Sequence, residues 1–274
     1  MIHEKIDIRG EGSGEDAVLY TYILDITEDF YEKKRPLILV CPGGGYGFCS
    51  DREGEMIAMQ FNAMGYHAAV LYYSVAPSRF PAAVLELGRA VSALRSRAEE
   101  WHIDAGKIGI AGFSAGGHVA ASYCMFWNRE WMTQALLSEP EQRKPNAMIL
   151  GYPVITSGTF AHRDSFCNLL GEAYEEKKEE MSLENQISSA VPRTFVWHTF
   201  EDNVVPVQNS LLLVNGLVKQ GIPVEFHMFQ KGGHGLSLAN RMTKGAGGFG
   251  EEPSCQCWIQ LLHTWLEEEW SKEE

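Results

Sequence analysis

Five short apolar runs separated by helix-length segments constrain this chain most: residues 36–41, 67–73, 107–111, 147–152 and 194–198. Continuous runs of this length suit strands covered on both faces, as in a parallel sheet, rather than strands with one wet face. The intervening segments carry helical spacing. Met56, Ile57, Met59, Phe61 and Met64 mark a helix over 53–64 that Gly65 closes, and Val84, Leu87, Val91 and Leu94 mark another over 82–101. Further helices are expected over 115–127, 207–220 (closed by Gly221) and 254–270. Strands are also expected over 16–24 and, with alternating polarity, over 224–229. Strand–helix alternation of this kind predicts an α/β fold, a mostly parallel central sheet with helices on both faces. No repeat or low-complexity linker divides the chain, so residues 1–274 read as a single domain.

The least regular stretch is 155–190. An acidic, exposed helix is expected around Glu172 to Glu184, where six glutamates face two lysines. Two uses stay open for the stretch: a small cap or insertion over a site, or a solvated face. The acidic end from Glu267 to Glu274 reads as a solubility feature.

Charge excludes some partners. Asp and Glu number 36 against 23 Lys and Arg, a formal charge of -13, which opposes binding to nucleic acid or to an anionic membrane. The first residues alternate polar and apolar without an apolar signal core, and no window is apolar enough to span a bilayer. Cys41, Cys49, Cys124, Cys167, Cys255 and Cys257 are scattered, and Cys255-Gln-Cys257 is not a C-x-x-C site. They read as reduced thiols of a cytoplasmic protein.

The chemistry is concentrated in loops after these strands. Gly112-Phe-Ser-Ala-Gly116 directly follows the 108–111 run and precedes a helix of small residues, the strand–turn–helix context that G-x-S-x-G requires. Flanking glycines let the backbone turn sharply so that the Ser114 hydroxyl is presented, and Ala115 offers an N–H where oxyanion charge develops. Pro42-Gly-Gly-Gly-Tyr46 follows the 36–41 run. It lacks the lysine of a phosphate loop and fits G-x-G-x-x-G poorly, so exposed N–H groups completing an oxyanion hole are the better use. An acid and a base are expected later in the chain, in that order. Glu201 and Asp202 both follow the 194–198 run, and the residue chemistry does not separate them. His234 lies in a glycine loop, Gly232-Gly-His-Gly235, past the 224–229 run. His118 reads as a packed neighbour of the nucleophile and His198 as a structural hydrogen-bonding group. The remaining histidines show no metal spacing, so neither metal nor cofactor is expected. Trp127 and Trp131, spaced i,i+4 on a helical stretch, read as core.

Together, Pro42-Gly-Gly-Gly-Tyr46, Gly112-Phe-Ser-Ala-Gly-Gly-His-Val-Ala120, Asp202-Asn-Val-Val-Pro206 and Gly232-Gly-His-Gly-Leu236 resemble the α/β-hydrolase superfamily. The likeness is to its small acetyl-esterase and xylan-esterase-like branch, related to the hormone-sensitive-lipase-type esterases. Tyr73-Ser-Val-Ala-Pro77 and Phe80-Pro-Ala82 resemble a segment those esterases carry after a core strand, and the similarity spans roughly residues 15–265. The resemblance implies Ser114 as nucleophile, Asp202 rather than Glu201 as triad acid and His234 as base. It implies Gly44, Gly45 and Ala115 as oxyanion donors, with the choice between the two glycines open. Pro42 stands where lipase-like relatives have a histidine, and Glu86 falls near where they have an aspartate. The long N-terminal helical cap of that group is missing, which favours a short acyl group.

Tyr46, Phe48, Tyr152 and Trp197 lie near the motifs and could wall a small acyl pocket. The expected activity is a serine carboxylesterase removing acetyl groups from hemicellulose-derived (xylan) oligosaccharides. The alternatives are a feruloyl esterase, a prolyl-oligopeptidase-type peptidase, and a non-catalytic hydrolase-fold binding protein. The oligomeric state is not fixed by the sequence, and a homo-oligomer is compatible with it.

Overall fold

The computed structural model describes residues 1–271, and the last three residues of the acidic end lie outside them. Eight strands form one sheet: β1 (Lys5–Ile6), β2 (Val18–Tyr22), β3 (Arg35–Cys41), β4 (His67–Tyr72), β5 (Ile103–Phe113), β6 (Ala147–Gly151), β7 (Thr194–Thr199) and β8 (Val224–Phe229). Their spatial order is β1-β2-β4-β3-β5-β6-β7-β8. The β1/β2 and β2/β4 pairs are antiparallel and the rest are parallel. The α/β-hydrolase fold expected from the sequence is therefore the fold observed.

Why the runs are apolar throughout is visible in β3. Leu37, Leu39 and Cys41 face the layer of α2 (Ala82–Ser96), α3 (Ala115–Phe126) and α7 (Gln208–Lys219), while Ile38 and Val40 face α1 (Glu55–Ala63) and α8 (Trp258–Ser271). Both faces are dry, so polar alternation would bury unpaired groups.

Chain order sets the site. From β3 the chain steps to β4 on one side, then crosses through α2 to β5 on the other side. The carboxyl ends of β3 and β5 thus border a topological switch point, where open α/β sheets place their ligands. Register aligns the loops that leave there: Cys41 pairs with Gly112, Phe113 with Gly151, and Gly151 with Trp197.

Some expectations are corrected. The helix expected to reach Trp101 ends at Ser96. The chain turns from Arg97, whose guanidinium lies 3.7 Å over the ring of the buried Trp101, and β5 starts two residues later. The acidic helix is reduced to one turn, α6 (Tyr174–Lys177), because glutamates spaced i,i+4 repel and Met181, Ser182 and Leu183 turn inward to be buried. The longer helix of that stretch is α5 (Arg163–Leu170), whose Phe166, Leu169 and Leu170 are buried. Trp127 and Trp131 are not on one helix. Arg129 is extended, and α4 (Glu130–Leu136) starts after it. Both tryptophans still pack as core: Trp127 donates to Ala190 O, and Trp131 lies edge-on to Phe80 and Phe126.

The acidic end is not all solvated, since Glu267 accepts from the Tyr66 hydroxyl and Glu269 pairs with Arg193. The six cysteines are free thiols. Among the described residues, no helix is long and apolar enough to cross a membrane.

Candidate active site

Ser114 sits between β5 and α3 with φ 53 and ψ -120, a conformation that side chains rarely adopt. Surrounding bonds hold it there. Its N–H donates to Gly151 O, and its carbonyl accepts from Val154 N and His118 N. The turn also needs Gly116, where a Cβ would lie 2.2 Å from Cys41 O, so that α3 can start against the end of β3. The hydroxyl ends up at the mouth of a buried helix, in a residue 8% exposed.

Three loops bring the triad together. Ser114 Oγ lies 2.7 Å from His234 Nε2, and His234 Nδ1 lies 2.7 Å from Asp202 Oδ2. Asp202 Oδ1 accepts from the N–H groups of Val204 and Val205, at 3.0 and 2.9 Å. His198 adds a fourth donor. Its Nε2 faces both Val205 O at 2.9 Å and Asp202 Oδ2 at 3.2 Å, which requires the proton there, and its Nδ1 then accepts from Ser210. Burial pushes the Asp202 carboxyl up, but the hydrogen bonds from His198 and His234 outweigh burial and hold it well below the usual carboxylate range. A carboxylate that stays ionised keeps the His234 proton on Nδ1 and leaves Nε2 free to accept from the serine. The arrangement of Ser114, His234 and Asp202 is that of a serine-hydrolase triad.

The glycine loop after β3 runs alongside. Gly44 has φ 134, and a Cβ on it would lie 2.0 Å from Phe48 O, so no other residue fits. Gly43 donates its N–H to Glu53 at 2.8 Å. Within the described residues the N–H groups of Gly44, Gly45 and Ala115 meet no acceptor, and that of Ala115 lies in the first turn of α3.

The residues expected to wall a pocket are placed differently from one another. Tyr152 is buried with its ring 5.1 Å from that of His234. Trp197 stands one ring further back, 5.0 Å behind Tyr152. Tyr46 is buried, and its hydroxyl donates to His118 Nδ1 at 2.8 Å. Phe48 is 63% exposed and lines a groove of about 950 Å³ that crosses Tyr20, Tyr22 and Tyr72 and includes no triad residue. His118 donates from Nε2 to Met181 O, and burial pushes its pKa down to about 4, so it is a neutral hydrogen-bonding group. Glu86 is buried and accepts from the backbone N–H and hydroxyl of Ser74, a local contact away from the triad.

Sequence reasoning assigned no role to Glu53, His162, Ser165 or Asn168. The last three come from the 155–190 stretch. Asn168 Nδ2 donates to Gly45 O at 2.9 Å. A Cβ at Gly45 would lie 3.8 Å from Ser165 Oγ and 3.9 Å from His162 Cε1. Burial, and then the nearby His234, lower the pKa of His162. Among the described residues, no group of three or more His, Cys, Asp and Glu could hold a metal ion.

Known proteins are similar to this chain in sequence and shape. The sequence profile of the BD-FAE family matches residues 24–217, a stretch that includes Ser114 and Asp202 and stops before His234. The chain is 40% identical over 214 residues to Endo-1,4-beta-xylanase B of Butyrivibrio fibrisolvens, a match covering 76% of this chain and 33% of that protein. It is 28% identical over 208 residues to an acetylxylan esterase of Xylanibacter ruminicola, covering 73% of this chain and 41% of that one. The chain therefore spans only a third to two fifths of these curated relatives. Among solved structures, an acetyl ester-xyloside bifunctional hydrolase from Caldicellulosiruptor lactoaceticus superposes with a TM-score of 0.78 at 35% identity, covering 92% of this chain and 88% of that one.

Proposed function

The chain belongs to the BD-FAE family and is a serine-hydrolase-type esterase of the α/β-hydrolase superfamily, and from that premise we propose that it removes short acyl groups, acetyl first, from xylan-derived oligosaccharides. The observation that carries the reading is the hydrogen-bonded chain Ser114–His234–Asp202.

In this reading Ser114 Oγ attacks the ester carbonyl carbon while His234 Nε2 takes the hydroxyl proton. The carbonyl oxygen becomes an oxyanion, received by N–H groups of Gly44, Gly45 and Ala115. Collapse of the adduct breaks the bond to the alcohol oxygen, which leaves with the proton from His234. An acetyl-serine remains. Water then attacks it, giving its proton to His234, and acetate departs as Ser114 recovers that proton. Asp202 stabilises the imidazolium in both halves.

The small acyl group is supported by the side chains that neighbour Gly45: Ser165 and His162 on one side and Asn168 on its carbonyl. We read residues 155–190 as an insertion within one hydrolase domain that walls this side of the site. The sugar is supported by the relatives whose names include xylan or xyloside. A cytoplasmic setting, and so imported oligosaccharides rather than polymer, is supported by the six free thiols.

The test compares kcat/KM on p-nitrophenyl acetate, butyrate, octanoate and a feruloyl ester, with acetate release from acetylated xylo-oligosaccharides followed in parallel. Acetate preference with fast release is expected. Inert oligosaccharides would remove the sugar, and a folded Ser114→Ala protein as active as the wild type would remove the mechanism.

A further inference from the structure

Glu53, like Glu86, is a buried carboxylate that the triad does not use. Glu53 closes the short turn Asp51–Glu53 before α1 and is 3% exposed, yet among the described residues it makes no ion pair with a basic side chain. Both its oxygens accept. Oε2 takes the Gly43 N–H at 2.8 Å, and Oε1 takes the Tyr152 hydroxyl proton at 2.5 Å. The Tyr152 oxygen in turn accepts the N–H of Ser237 at 2.8 Å. Ser237 also donates its hydroxyl to Arg52 O at 2.5 Å, so the base loop is fastened twice to the Asp51–Glu53 turn.

These contacts join the three loops that the reaction needs. Gly43 begins the glycine loop after β3. Tyr152 follows β6, next to the Ser114 turn, and its ring packs on His234. Ser237 lies three residues beyond His234, in a loop with φ 53 at that serine. Tyr152 itself has φ 37, a strained value that the contacts at its hydroxyl and ring hold in place. The carboxylate also lies beside the nucleophile: a Cβ built on Gly43 would meet Glu53 Oε2 at 2.7 Å and Ser114 Cβ at 2.9 Å.

We propose that Glu53 is a positioning residue for the esterase reaction, acting through Gly43 and Tyr152 to set the oxyanion loop and the His234 loop relative to Ser114. By taking the Gly43 N–H it orients the peptides that follow, so that Gly44 and Gly45 point their N–H groups at the oxyanion. By holding the Tyr152 hydroxyl it fixes the ring against which the imidazole rests. A carboxylate suits the task because both partners are donors. A carboxamide must lose one of the bonds or turn the tyrosine proton away. Glu53 is buried and both its oxygens are taken by Gly43 and Tyr152, so its loss acts on the chemical step.

The proposal rests on the esterase reading, and Ser114→Ala assayed on the same ester tests that reading separately. Glu53→Gln is expected to lower kcat on p-nitrophenyl acetate by about 10- to 100-fold, the scale of a small misplacement of reacting groups, with KM within about twofold. Active-site titration of the folded fraction should show a full complement of serines, each turning over slowly. Tyr152→Phe cuts the link to Ser237 while sparing the Gly43 bond. It should slow kcat less, and in the double variant add under about twofold to the loss from Glu53→Gln. Titrated sites that turn over at the wild-type rate, whatever their number, would overturn the proposal, as would fully additive effects. If Ser114→Ala were as active as the wild type, the esterase reading itself would fall.

Discussion

Asp202→Asn gives the sharpest test of the triad, because the structure dictates which way the new amide must face. Val204 and Val205 both donate backbone N–H groups to Oδ1, so the amide oxygen has to stay there. That turns the NH₂ toward the two imidazoles that now donate to Oδ2. His198 is held by Val205 O and Ser210 and cannot reverse. His234 can. It would accept the amide proton at Nδ1 and carry its own proton on Nε2, opposite Ser114 Oγ, where it can no longer take the serine proton. The expected fall in kcat is about 10⁴-fold, or about 5 kcal/mol of transition-state stabilisation.

Stability separates this effect from damage. Asp202→Asn keeps both backbone hydrogen bonds and should unfold near the wild-type temperature. Asp202→Ala loses them and leaves the Val205 N–H buried without a partner, a cost of roughly 1–3 kcal/mol. The assay is steady-state hydrolysis of p-nitrophenyl acetate beside thermal unfolding of each variant. A folded Asp202→Asn protein within about tenfold of wild-type kcat would refute the tautomer argument.

Two further outcomes are expected. Gly44→Ala must displace the loop, since its Cβ would lie 2.0 Å from Phe48 O, and kcat should fall by about 10²- to 10³-fold through loss of a proposed oxyanion donor, as measured by steady-state kinetics. Burial holds the pKa of His118 at about 4 against an ordinary 6.5, so the folded protein refuses a proton that the unfolded chain accepts. The stability tied to this group is therefore complete above pH 6.5 and declines as pH falls toward 4, by roughly 3 kcal/mol in all. Urea titrations between pH 7 and 4.5 should show that slope, and His118→Gln should flatten it by one proton. Parallel slopes for the two proteins would remove His118 as the cause.

What the sequence made legible, and what it left hidden, follows from the range of the interactions involved. Strands covered on both faces must be apolar at consecutive positions, so β3 to β7 announce themselves in runs of five to seven residues. The elbow is legible for a related reason: Gly112, Ser114 and Gly116 meet one another's constraints within five residues. The choice of Asp202 over Glu201 needed a family resemblance as well, because nothing local in Glu201-Asp202 says which carboxylate points inward. Only the fold decides, by giving Asp202 two backbone donors and two imidazoles.

Residues whose roles depend on distant partners left no such trace. Glu53 sits in Asp51-Arg-Glu-Gly54, where the sequence shows only the start of a helix, and its partner Tyr152 lies 99 residues away. His162 and Ser165 reach Gly45 only because 155–190 folds back over the loop, a path set by the buried Met181 and Leu183 rather than by helical periodicity. The acidic stretch misled for the converse reason. Its glutamates have good helix propensity one by one, yet their repulsion and the inward turn at Met181 shorten the helix to a single turn. The same distinction ranks the experiments. Substitutions at Ser114, Asp202 and Gly44 test chemistry the motifs already carry, whereas Glu53→Gln and Tyr152→Phe test whether the catalytic loops are held in one arrangement by contacts that only the folded chain creates.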